Sequence, residues 1–176
     1  IADMLTLSRI EHDTVMSEDE EVIDMPQLLN RLFNDVKHGS DAKQHQFRAQ
    51  IDSDLRLKGN QSDLTGVCLN LLHNAVLHTP PGTTVRLHWF NQSGQACLQV
   101  KDNGPGIAAK HLPHVTERFY RVTHSDKQKQ DSTGLGLAIV KHIGLKHGAE
   151  LTIDSRPGEG SCFSMLFPAN RSDFKN

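Results

Sequence analysis

Between Asp102 and Thr133 the sequence abandons regular apolar periodicity and becomes rich in Gly, Pro, His, Lys and Ser. So long a stretch without a helix or strand period is uncommon inside a compact domain, and it usually has a functional reason. A mobile lid is the expectation. The hydrophobic core must then come from the segments on either side. With 176 residues, 36% of them hydrophobic, the chain has material for one sizeable core and not for two full domains.

Those flanking segments read as a mixture of helices and short strands. Met4, Leu5, Leu7 and Ile10 recur at helical spacing in a stretch too short to bury them, the expected end of a longer helix cut from a larger protein. The acidic run Ser17–Glu21 reads as a solvated linker, with a domain boundary near residue 15, and Val22-Ile23-Asp24 as a short strand. From Pro26 a helical period in Leu28, Leu29, Leu32, Phe33 and Val36 runs to a stop at Gly39. Phe47–Ile51 and Leu55–Leu57 follow as strands.

The helix expected from about Ser62 to Leu77 has a core stripe through Leu64, Val67, Cys68, Leu71, Leu72 and Ala75. Gly66, Asn70, Asn74 and His78 fall on a second face, small and polar. Thr84–Phe90 and Ala96–Val100 read as a hairpin, Leu135–His147 as a helix stopped by Gly148, and Leu151–Asp154 and Cys162–Phe167 as a final strand pair. Strands mixed with separate helices favour an α+β sandwich over a strictly alternating parallel sheet.

Composition excludes several classes. A net charge of -2 gives no field for nucleic acid or anionic lipid, so any phosphate binding must be local. No stretch reaches the roughly 20 apolar residues of a membrane helix. The three cysteines, far apart in apolar surroundings, fit buried thiols better than disulfides or zinc ligands.

Two glycine-rich segments carry the chemistry. Asp102-Asn103-Gly104-Pro105-Gly106 directly follows an apolar strand, so the strand end fixes a carboxylate while the glycines let a flat ligand approach the backbone; a plain turn is the alternative. Thr133-Gly134-Leu135-Gly136-Leu137 opens a helix, where unpaired N–H groups and the helix dipole suit a phosphate. A P-loop would need Lys-Ser or Lys-Thr after a glycine, which the chain lacks, and a dinucleotide fingerprint would need a small residue at Ile139. Asn70 and Asn74, one helical turn apart, can orient a hard cation such as Mg2+ with waters and phosphates; two solvent-facing amides are the commoner meaning of such a pair. Gly158-Glu159-Gly160-Ser161 could bring a hydroxyl to the same place or be a bare hairpin turn.

Taken in order, Asn70–Ala75, Asp102–Ile107, Glu117–Arg121 and Thr133–Lys141 resemble the N box, first glycine box, F box and second glycine box of sensor histidine kinases. Leu5–Glu11 and Thr116–Val122 are most similar to the sensor kinases of the phosphate regulon. The resemblance implies a two-layer α/β sandwich of the gyrase/Hsp90/histidine-kinase type, with a mixed sheet covered on one face by helices, spanning residues 16–170. Residues 1–15 would end the second dimerisation helix, and 171–176 would form a tail.

It also implies an ATP-dependent protein-histidine kinase with ATP and Mg2+ as ligands. Asp102 would accept from the adenine amino group, Gly104, Gly106 and Ile107 would let the backbone approach the base, and Ser161 would assist through a water. Asn74, with Asn70, would hold Mg2+, and His78 would lie beside the nucleotide. Arg118, Tyr120 and Arg121 would belong to the lid, an arginine neutralising the transferring phosphoryl group. Thr133, Gly134, Leu135, Gly136 and Leu137 would cradle phosphates.

The expected partners are the dimerisation and phosphotransfer domain of the same protein and a response regulator, with no nucleic acid. The piece is expected to be soluble, cytoplasmic and monomeric, its parent a homodimer anchored in the bacterial inner membrane. Departures from the family pattern are Ser132 where a glycine is frequent and Leu77 where a lysine is; Leu77 is given no phosphate role. None of the 11 histidines lies in the family's phosphoacceptor pattern, so the acceptor is expected on a segment the sequence does not include. Two rival readings are an ATP hydrolase clamp and a nucleotide-free interaction module. Against the clamp, Asn70 stands where those enzymes carry a glutamate base.

Overall fold

A computed structural model describes residues 20–39, 44–122 and 133–174. The dimerisation-helix reading of 1–15 and the part of the lid at 123–132 lie outside the described residues. Strand β1 (Glu21–Ile23) leads into α1 (Met25–Lys37), then β2 (Gln46–Ile51) and β3 (Leu55–Gly59), and α2 (Gln61–Leu77) precedes the hairpin β4 (Thr84–Gln92) and β5 (Gln95–Asp102). After the irregular segment come α3 (Gly136–Lys146), β6 (Glu150–Arg156), β7 (Gly160–Leu166), a 3-10 turn (Ala169–Arg171) and β8 (Ser172–Phe174).

Local chemistry sets the helix starts. Asp24 accepts from the Gln27 N–H at 3.0 Å with Pro26 in the first turn, and Asn60 accepts from the Asp63 N–H at 3.0 Å. Both side chains satisfy a donor that the helix leaves unpaired. By contrast α3 has no side-chain cap.

The main sheet runs β2-β4-β5-β7-β6, with only the β2/β4 pair parallel. Its alternating inner residues Val85, Leu87, Trp89, Leu98, Val100, Phe163 and Met165 are buried with apolar residues of the three helices in one core. This is the expected helix-covered mixed sheet.

A second sheet, β1-β3-β8, was not anticipated. Ser172–Phe174, expected as tail, pair antiparallel with Leu55–Leu57, so the fold reaches past residue 170. Glu21, expected in the linker, is the first residue of β1, and Glu20 beside it forms an ion pair with Arg171 at 2.8 Å, while Arg171 donates to the Lys58 carbonyl at 3.1 Å. Backbone pairing with β3 satisfies edge groups of β1, which was expected as a strand at Val22–Asp24, and of β8, which has no apolar period to announce it. Trp89 joins the two sheets, its indole N–H donating to the Leu55 carbonyl at 2.9 Å.

All three cysteines are free; Cys68 and Cys97 are buried, whereas Cys162 is half-buried on the outer face of β7. Burial pushes the Cys68 thiol up to about 12, which leaves it inert as a nucleophile at neutral pH.

A buried histidine ties α3 to the start of α2. His147 Nδ1 donates to the Ile143 carbonyl at 3.0 Å and Nε2 accepts from the Asn60 N–H at 3.3 Å, an arrangement open only to the neutral ring. Burial holds its pKa below the ordinary value of 6.5, and burial does the same for His45 and His88. The unfolded chain therefore takes up protons first as pH falls through 6.5, and stability should decline from there toward the folded-state pKa values. Urea midpoints at pH 7.5 and pH 5.5 are expected to differ, the acidic one being lower, and His147→Gln is expected to narrow the gap.

Candidate nucleotide site

One cavity of about 320 Å3 opens between α2, the end of β5, the irregular segment and the start of α3. Asp102 reaches it because the β5 alternation puts Val100 and Asp102 inward and Lys101 outward. The carboxylate is only 5% exposed and its Oδ1 accepts from the Gly104 N–H at 2.8 Å. Burial raises its pKa above the ordinary carboxylate value, while the backbone N–H groups of Gly104 and Ser161 pull the other way.

The turn after Asp102 is held from below. Gly106 adopts φ +71°, and a Cβ there would run into the Arg156 carbonyl, so conformation and space both demand glycine. The Gly158 N–H donates to the Pro105 carbonyl at 2.8 Å, fastening the β6/β7 hairpin to the same turn.

A hydroxyl relay completes this end. The Ile107 N–H donates to Ser155 Oγ at 2.8 Å, and Ser155 donates its single proton to the Gly160 carbonyl at 3.0 Å. Ser161 Oγ, 2.8 Å from Ser155 Oγ, must then be the donor of that pair, which leaves Ser161 an acceptor toward the cavity. Nothing in the sequence singles out Ser155, a strand serine with no motif around it.

Asn70, Asn74 and His78 line the cavity from α2. Asn70 Nδ2 donates to the Gly66 carbonyl at 2.8 Å, which commits the amide nitrogen and turns Oδ1 toward Gly136. Leu77, His73 and Thr79 also line it, and none of the three was assigned a role from sequence. Asp102 is the only acidic side chain on the lining among the described residues.

Thr133, Gly134, Gly136 and Leu137 line the same cavity at the start of α3. With no side-chain cap, the helix presents its first N–H groups there. Tyr120 and Arg121 also line the cavity, and Tyr120 Oη lies 2.6 Å from His111 Nδ1. The Phe119 N–H donates to the Gly134 carbonyl at 2.9 Å, which brings the F-box segment against the second glycine segment.

Three expected residues are not on the lining. The Leu135 side chain is fully buried in the core, because the helix start turns that position inward. Gly104 lies behind Asp102 against Thr79. Arg118 is exposed and is not among the residues that line the cavity beside Tyr120 and Arg121.

The family model for histidine kinase-, DNA gyrase B-, and HSP90-like ATPases matches residues 59–171, which contain every element of this cavity. The chain belongs to that family, as a sensor histidine kinase ATPase catalytic domain. It is 39% identical over 165 residues to the phosphate regulon sensor protein PhoR of Pseudomonas aeruginosa, covering 94% of this chain and 37% of that protein. The Haemophilus influenzae PhoR is 35% identical over 162 residues, again with 37% of its length covered. The chain thus spans under two fifths of these curated relatives. Among solved structures, the mycobacterial sensor histidine kinase MprB superposes with a TM-score of 0.72 at 31% identity, covering 85% of this chain and 97% of that one.

Proposed function

We propose that the chain binds Mg2+-ATP in the Asp102 cavity and transfers the γ-phosphoryl group to a histidine on the dimerisation domain of its parent protein. From there the phosphoryl group passes to a response-regulator aspartate, in phosphate-limitation signalling. The observation that carries this reading is that one cavity is lined both by a buried carboxylate and by an uncapped helix N-terminus. The first suits an exocyclic amino donor, the second a polyphosphate.

In this reading Asp102 accepts from the adenine amino group and Ser161 accepts from an intervening water. Gly106 and Ile107 form the floor under the base. Gly134, Gly136 and the backbone of Leu135 and Leu137 receive the phosphates, and Arg121 offsets charge on the transferring group. Amide oxygens of Asn70 and Asn74 are hard donors fitting Mg2+, but two cannot fill an octahedron, and no cluster of three His, Cys, Asp or Glu exists among the described residues. A cation would therefore be held jointly with phosphate oxygens and waters, and it would polarise the γ-phosphoryl group for attack.

The lining favours transfer over hydrolysis. Hydrolysis in the clamp enzymes uses a glutamate base where this chain has Asn70, whose amide cannot take a proton from water, and among the described residues Asp102 is the only acid on the lining. The narrower link to phosphate limitation rests on the PhoR relatives. Domain limits of 16–174 for the catalytic unit, with 1–15 ending a dimerisation helix, are part of the same proposal, as are a homodimeric, membrane-anchored parent and a cytoplasmic site of action. Among the described residues no helix is long and apolar enough to cross a membrane.

The test is incubation with a separately produced two-helix acceptor hairpin and γ-labelled ATP. Label should appear on the hairpin histidine, and Asn74→Ala should slow labelling on the order of 100-fold, the scale at which one charge-stabilising group matters in group transfer. Release of inorganic phosphate without labelling would favour the hydrolase instead.

A further inference from the structure

His45, just before β2, has no place in any of the four sequence motifs and does not line the cavity. Its Nε2 lies 2.8 Å from Thr79 Oγ1. The threonine has a single hydroxyl proton, and it goes to the Ala75 carbonyl at 2.6 Å. His45 must then be the donor, which places its proton on Nε2. Nδ1 is buried without a partner among the described residues, as a neutral ring of that tautomer permits and a charged one does not. The ring is braced by Phe47, with centroids 6.4 Å apart, and Phe47 stands edge-on to Phe33 at 5.6 Å.

Thr79 is where this contact becomes functional. On a β-branched side chain the hydroxyl and the methyl occupy fixed staggered positions, so fixing one fixes the other. In the observed rotamer the methyl Cγ2 backs Gly104 so closely that a Cβ on Gly104 would lie 2.5 Å from it. Gly104 is the residue whose N–H holds Asp102 Oδ1. The contacts thus run from His45 through Thr79 and Gly104 to the Asp102 carboxylate, across three separate segments of chain.

We infer that His45 is a positioning residue of the nucleotide site: by donating from Nε2 to Thr79 it selects the rotamer whose methyl backs Gly104, and so sets the Asp102 carboxylate for the base. The inference rests on the reading of the Asp102 cavity as an ATP site. Without that donor only the Ala75 bond holds the hydroxyl, other Thr79 rotamers become more populated, in them the methyl leaves Gly104, and the turn gains freedom that ligand binding must then remove.

Two measurements separate this inference from the site reading. In the ligand-free protein, amide hydrogen exchange of Gly104 should quicken about five-fold in His45→Phe and return to the wild-type rate in His45→Gln, whose Nε2 donor reaches the same hydroxyl. Calorimetric titration with Mg2+-ATP should show His45→Phe weakening binding roughly five-fold, the scale of one neutral hydrogen bond, with His45→Gln within two-fold of wild type. Thr79→Val should weaken it similarly, and the double variant should be no worse than Thr79→Val alone. Unchanged Gly104 exchange in His45→Phe, wild-type affinity in that variant, or additive losses in the double variant would overturn the positioning role. Failure of the wild type to bind ATP while the exchange pattern holds would overturn the site reading alone.

Discussion

Replacing Asp102 by Asn is expected to weaken ATP binding roughly 10- to 100-fold, about 1.5–3 kcal/mol for a hydrogen bond to a charged group. The reason lies in how the side chain is held. Oδ1 is engaged by the Gly104 N–H at 2.8 Å, so the asparagine oxygen will take that place. Its NH2 then faces the base, setting donor against donor. ATP should be preferred over GTP by the wild type, since guanine presents an acceptor where adenine presents its amino group, and the preference should shrink in the variant. Thermal stability should be kept or slightly raised, because burial that disfavours the carboxylate costs a neutral amide much less. Calorimetry with both nucleotides and a melting curve check each part. Tight ATP binding by Asp102→Asn would remove Asp102 from the site.

The largest expected effect on stability is at Trp89, the chain's single tryptophan. It is fully buried, meets Phe167 edge-on with centroids 6.3 Å apart, and donates to the Leu55 carbonyl at 2.9 Å. Trp89→Ala should cost about 3–5 kcal/mol for the lost contacts and cavity. Leaving Leu55 unpaired between the two sheets adds about 1–3 kcal/mol. Against a typical domain stability of about 5–15 kcal/mol, the variant should be largely unfolded or close to it at 37 °C. Trp89→Phe keeps an aromatic ring but loses the donor, and should fall between. Urea titration followed by circular dichroism measures all three, since tryptophan fluorescence disappears with the residue. A near-native midpoint for Trp89→Ala would mean that the two sheets are held together by other contacts.

Both predictions draw on features the sequence exposes unequally. Asp102 is legible at once, because an apolar strand followed by Asp-Asn-Gly-Pro-Gly is a local pattern. Trp89 reads only as an inward strand residue; its bond to Leu55 joins positions 34 apart and belongs to no period. Gly106, Asn70 and Ser161 were named from motifs, and the structure brings all three to one cavity. Arg118 and Leu135 were named by the same motifs and are not on its lining; Leu135 is turned into the core, since a motif fixes spacing along the chain and not the direction of each side chain.

The sequence by itself determined what short-range physics controls: the three helices through their apolar stripes, the main-sheet strands through alternation, the glycine turns, and through four ordered motifs the family. Tertiary structure alone decided the rest. The Ser155 relay to Ile107 spans 48 positions, the Arg171 contact with Lys58 spans 113, and the His45 contact with Thr79 spans 34. The small sheet with β8, the tautomers of His45 and His147 and the identity of the residues behind Asp102 all depend on such pairings. Hydrogen bonds of this kind form between groups that ordinary residues carry everywhere, so nothing in composition or period distinguishes the partners until packing brings them within 3 Å or so.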